Sequence, residues 1–103
     1  MKVVWADLAF RSLQSILLFW IERTQSARFA TQLLEKIDSA ILTIQKFPKV
    51  GKTYKKGPIR QTIIGDLSIF YLVYINNIQI LLIWDNRQNP NKLNEILQKI
   101  KLP

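Results

Sequence analysis

The chain has 103 residues, 49% of them hydrophobic, and a net charge of +8. That length fits one domain with one core, and the hydrophobic content argues against disorder. Cysteine and histidine are both absent, which excludes disulfides, thiolate metal sites and the commonest general base, so neither a metal nor a cofactor is expected.

In chain order, residues 2–5, with β-branched Val3 and Val4 before Trp5, predict a short strand. Asp7 is placed to cap a first helix over 8–23, where Phe10, Leu13, Ile16, Leu17 and Trp20 recur at helical spacing. Residues 24–26 break it. Ser26 can cap a second helix whose stripe is Phe29, Leu33, Ile37, Ala40, Ile41 and Ile44. Pro48 restricts the residue before it, so this helix should end near Phe47. The short link predicts an antiparallel helical hairpin. No apolar run approaches the roughly 20 residues a membrane span needs. The N-terminus carries one lysine and no cleavable apolar stretch, so no secretory leader is expected.

Residues 51–58 read as a loop. Three strands follow, over 59–64, 67–75 and 78–85, joined by turns at Gly65-Asp66 and Asn76-Asn77. Asn89-Pro90 ends the last strand, and Asn91 is placed to cap a final helix over 92–101. The expected class is α+β: an N-terminal strand and helical hairpin on an antiparallel sheet of about four strands, with a short C-terminal helix.

Two-residue turns fix a register. Ile64 then pairs with Leu67, Arg60 with Tyr71, Ile75 with Ile78, Tyr71 with Leu82, and Ile69 with Trp84. One face carries Arg60, Thr62, Ile64, Ile69, Tyr71, Val73, Ile80, Leu82 and Trp84. The other carries Ile59, Ile63, Phe70, Leu72, Tyr74, Leu81 and Ile83. Both are apolar. The helical hairpin can cover one; the other requires the final helix, a second copy or a partner.

The positive charge is concentrated. Lys46, Lys49, Lys52, Lys55, Lys56 and Arg60 lie in one segment without an acid, leaving only +2 of the net charge elsewhere. Such a segment is either a solvated loop or a polyanion-binding edge. Arg87 leaves the end of the last strand and Arg60 comes from a neighbouring strand. Together they suggest an anion site, with nucleic-acid phosphate as the natural ligand.

The order of elements resembles the RelE/ParE superfamily of toxins from type II toxin–antitoxin modules, over nearly the whole chain. The resemblance is carried by Val4-Trp5, Trp20, Phe47-Pro48-Lys49-Val50-Gly51 and Ile59-Arg60. It continues through Tyr71, Tyr74 and Ile83-Trp84-Asp85-Asn86-Arg87-Gln88-Asn89-Pro90. It implies a cytoplasmic growth inhibitor neutralised by a cognate antitoxin that wraps it. RelE-like members cut mRNA on the ribosome, and ParE-like members poison DNA gyrase. The first activity is the leading expectation and the second its alternative, so enzymatic status stays open.

Metal-free RNA cleavage needs a base, cations at the phosphate and an acid. By resemblance to RelE-type nucleases the catalytic candidates are Arg60, Arg87, Lys52 and Lys55. Lys49, Tyr54, Lys56, Tyr71 and Lys92 are the candidates for nucleic-acid binding. RelE-type nucleases usually carry a further tyrosine near the C-terminus, whereas none follows Tyr74 here. A third reading is a non-toxic binding module in which Arg60 and Arg87 are structural, Arg87 pairing with Asp85.

Overall fold

Alternation and helical periodicity translate into eight elements in the computed structural model, which describes residues 1–100 and 102. They are β1 (Lys2–Trp5), α1 (Asp7–Thr24), α2 (Arg28–Lys46), β2 (Lys52–Thr53), β3 (Arg60–Ile64), β4 (Leu67–Val73), β5 (Asn77–Asp85) and α3 (Pro90–Lys99). The strands form one sheet in the order β1-β5-β4-β3-β2. All neighbours are antiparallel except β1, which runs parallel to β5. The fold is the expected α+β arrangement with one strand more. That strand, β2, lies inside the predicted loop and pairs with only Arg60 and Gln61. No described helix is long and apolar enough to cross a membrane.

The helix ends differ from expectation by one or two residues. Ala6, not Asp7, is the N-cap of α1. Asp7 sits in the first turn, where its charge suits the positive end of the helix dipole. Gln25 closes α1 in the left-handed conformation at φ 55°. Ser26 precedes the α2 cap residue, Ala27, and its hydroxyl accepts the Arg28 N–H at 3.1 Å. Phe47 ends α2 as Pro48 predicts. α3 starts earlier than expected: Asn89 caps it by accepting the Asn91 N–H, and Pro90 takes the first-turn position where a missing N–H costs nothing. Lys101, at the predicted end of that helix, lies outside the described residues.

The core has two parts, one on each sheet face. On the first, Ala9, Leu13 and Ile16 of α1 and Ile37, Ile41 and Ile44 of α2 meet Ile69, Tyr71, Ile78, Ile80 and Ile83. Phe10, expected in this stripe, is 53% exposed, and Ala9 takes its place at the contact. Phe29 also stays at the surface and packs on Trp20, ring centroids 4.7 Å apart. On the second face, Leu93 and Leu97 of α3 cover Phe70, Leu72, Leu81, Leu82 and Trp84. The final helix therefore closes the second apolar face, and Phe70 is fully buried without a second copy or partner.

The β3–β4 register is as derived, with Arg60 opposite Tyr71 and Ile64 opposite Leu67. The β4–β5 register is not. Val73 faces Ile78 and Tyr71 faces Ile80, whereas Ile69 faces Ile83 and Ser68 faces Trp84. Between these blocks Leu81 is an extra, bulged residue. The bulge switches the alternation, sending Leu82 and Trp84 to the α3 face and Ile83 to the hairpin face.

Polar groups created by these irregularities find partners. β1 ends opposite Ile80, which leaves the next part of the β5 edge bare. There Ser12 of α1 accepts the Ile83 N–H at 3.1 Å and donates to the Ala9 carbonyl at 2.8 Å. Buried Ser68 donates to Asn86 Oδ1 at 2.7 Å and accepts from Gln61 Nε2 at 2.8 Å. Each such bond spares the desolvation of an unpaired polar group, roughly 1–3 kcal/mol.

Candidate functional site

Pro48 stops α2 and sends the chain into a tight turn, in which the Val50 N–H donates to the Phe47 carbonyl at 2.9 Å. Two candidate residues fasten this turn from beneath. Tyr71 is fully buried. Its hydroxyl donates to the Pro48 carbonyl at 2.8 Å and accepts the Gly51 N–H at 2.9 Å. Arg60 donates through Nη1 to the Gly51 carbonyl at 2.7 Å and to the Lys49 carbonyl at 3.3 Å. The tyrosine thus has no face free to stack on a base, and the arginine spends donors on its own backbone.

Gly51 is required by this contact. A Cβ there would lie 2.6 Å from Tyr71 Oη and 2.9 Å from Thr62 Oγ1. Thr62 Oγ1 is also the buried side-chain polar atom without a partner among the described residues.

Arg87 is held at the other end of the sheet. It forms a two-point pair with Asp85, Nε to Oδ1 at 3.0 Å and Nη2 to Oδ2 at 2.7 Å, and its own N–H adds a third bond to Oδ1. The side-chain hydrogen bond from Arg87 holds the Asp85 carboxyl below its ordinary range, outweighing the opposite effect of burial. The guanidinium carbon also sits 5.2 Å from the Trp20 ring centroid. Arg87 and Arg23 border a pocket of about 540 Å³ floored by Ile16, Phe19 and Trp20.

The register separates the two arginines. Arg60 is level with Tyr71, and Asp85 is level with Leu67, four residues further along β4. That is about 13 Å along the strand, with two strand spacings, about 10 Å, across it. Their guanidiniums are engaged with different neighbours, Gly51 and Lys49 for one and Asp85 for the other. They do not form one anion site.

The lysine-rich segment adjoins Arg60 rather than Arg87: β2 pairs Lys52 with Gln61 and Thr53 with Arg60, and the loop beyond β2 docks on the α3 face. Tyr54 packs edge-on against Phe70, ring centroids 5.3 Å apart, and donates to Asn94 Oδ1 of α3. It is a loop aromatic docked on the α3 face, and burial pushes its phenol pKa up. Lys55 and Lys56 form the tip of a turn closed by the Gly57 N–H on the Tyr54 carbonyl at 2.9 Å. Both are left-handed, at φ 48° and 58°. Lys55 Nζ lies 5.8 Å from the Tyr54 ring centroid. Lys49, Lys52, Lys55, Lys56 and Lys92 are all exposed, and among the described residues none is in a salt bridge.

Chemically, the described residues offer a dispersed cationic surface. No group of three or more His, Cys, Asp or Glu among them is placed to hold a metal. The Arg87–Asp85 pairing is the one expected of a structural arginine, whereas Tyr71, a nucleic-acid-binding candidate, is buried beneath the turn. Phe47 and Val50 of the fastened turn are exposed, a feature that no sequence pattern marks.

A family model described as ParE toxin of type II toxin-antitoxin system, parDE, matches residues 3–90. No curated protein matches the chain. Among solved structures, a chain of "Chromosomal ParDE TA system from P. aeruginosa" superposes with a TM-score of 0.71 at 20% identity. The match covers 81% of this chain and 92% of that one, and at that identity it shows the fold.

Proposed function

The chain belongs to the family of ParE toxins of type II toxin–antitoxin systems, and from that premise we propose that it arrests growth by poisoning DNA gyrase and is restrained by a cognate antitoxin. One observation carries the choice of target. Arg60 and Arg87 stand toward opposite ends of the sheet, each already engaged. Metal-free RNA cleavage wants several cations converging on one phosphate. Tyr71, the remaining aromatic candidate beside Arg60, is buried. Inhibition by surface contact needs none of this convergence.

Ribosome-dependent mRNA cleavage is the second reading, favoured by the Lys55–Lys56 turn. Two successive lysines in the left-handed region are costly for L-residues, and such strain clusters at functional sites. Purified protein added to a gyrase supercoiling reaction decides between them. Loss of supercoiling with accumulation of cleaved DNA supports the proposal. An unaffected gyrase together with mRNA cut in a translating extract overturns it.

A further inference from the structure

The turn that ends α2 exposes apolar side chains while its backbone is fastened. Phe47 is 63% exposed and Val50 51%. With Met1, Pro48 and Val73 they line an open concavity of about 620 Å³ whose remaining members are Lys46 and Lys49. No acid lines it. Beneath it, the Pro48, Lys49 and Gly51 carbonyls and the Gly51 N–H are all bound by Tyr71 and Arg60. Gln45 Nε2 fixes the far rim by donating to the Met1 carbonyl at 2.9 Å.

We infer that this turn is a protein-docking surface: an apolar side chain of the target seats in the concavity against Phe47 and Val50, and Lys46 and Lys49 meet carboxylates around it. It rests on the gyrase reading and names the surface through which gyrase is met. An apolar centre with a charged rim is the anatomy of a protein–protein contact. A phosphate backbone offers nothing to a phenyl and an isopropyl group. The nearby guanidinium that would favour phosphate, Arg60, is turned onto backbone carbonyls. The lysine rim matches an acidic partner by charge complementarity. Fastening the turn beforehand lowers the ordering cost of binding.

The test measures binding of the full-length chain to purified gyrase, and inhibition of supercoiling, for wild type, Phe47→Ser, Val50→Ser and Lys49→Glu. Thermal unfolding confirms that each variant is folded, which the exposure of all three positions favours. Phe47→Ser should weaken binding at least tenfold and Val50→Ser severalfold. Lys49→Glu should weaken it severalfold at low salt and less at high salt. Unchanged binding by Phe47→Ser and Val50→Ser overturns the inference while leaving the gyrase reading intact. Loss by Lys49→Glu alone also overturns it and points to a polyanion instead. A wild-type chain that leaves gyrase untouched overturns both.

Discussion

Tyr71 and Gly51 are built for each other: the buried hydroxyl accepts the glycine N–H at 2.9 Å, and the space a Cβ would need is filled by that same ring. The pair joins the centre of the sheet to the turn after α2, so surface geometry at the turn is set from the core.

Tyr71→Phe should destabilise the protein by about 1–3 kcal/mol, because it strands the Pro48 carbonyl and the Gly51 N–H while leaving the ring's volume in place. Gly51→Ala should cost about as much through overpacking against Tyr71 Oη and Thr62 Oγ1. Urea unfolding measures both. The double variant should cost less than the sum, since the hydroxyl that clashes has gone. Strict additivity would mean the two residues are not coupled.

This coupling was only half legible in the sequence. The Arg60–Tyr71 pairing follows from the Gly65-Asp66 turn, where Gly65 adopts φ 57° and the strands start immediately on either side. The next hairpin defeats the same logic for two physical reasons. The chain reverses over Ile75 and Asn76, bringing the Tyr74 N–H to the Asn77 carbonyl, so the asparagine pair does not mark the turn. Then Ile80-Leu81-Leu82-Ile83-Trp84 is apolar throughout and carries no alternation to betray the Leu81 bulge. Residues beyond the bulge were therefore assigned to the wrong face. For the candidate site, sequence order put Arg60 and Arg87 on one sheet, but only the register shows that they stand toward opposite ends.

The covering of the second sheet face by α3 is testable through Leu97, which is 6% exposed against Phe70 and its neighbours. Leu97→Ala should cost about 2–5 kcal/mol. Because it loosens the helix that shields Phe70 and Leu82, it should also increase binding of a dye that reports apolar surface. A loss below 1 kcal/mol with no dye binding would mean that α3 contributes little to the face.

The Asp85–Arg87 pair predicts a pH effect of known sign. Hydrogen bonding from Arg87 lowers the folded-state pKa of Asp85 below its ordinary 3.8. The folded chain thus binds that proton less readily than the unfolded chain does. The stabilisation is full above the ordinary carboxylate range and is lost as pH falls through the lower folded value. Unfolding measured from pH 7 down to pH 2 should show wild type losing its advantage over Asp85→Asn across that window. A constant difference between the two would show that the pairing does not act through ionisation.

The left-handed turn at Lys55 and Lys56 separates stability from function. L-residues there are penalised by contact between Cβ and the carbonyl, about 1–2 kcal/mol each. Glycine removes that penalty but adds unfolded-state freedom worth roughly 0.5–1 kcal/mol. Lys56→Gly should therefore stabilise the protein by about 0.5–1 kcal/mol, and Lys55→Asn should act in the same direction. If the lysines serve only solubility, these more stable variants should inhibit gyrase as strongly as wild type. If they grip RNA on the ribosome, the same substitutions should raise the melting temperature and abolish toxicity together. Growth arrest and thermal unfolding measured on one pair of variants thus distinguish a tolerated strain from one retained for its charge.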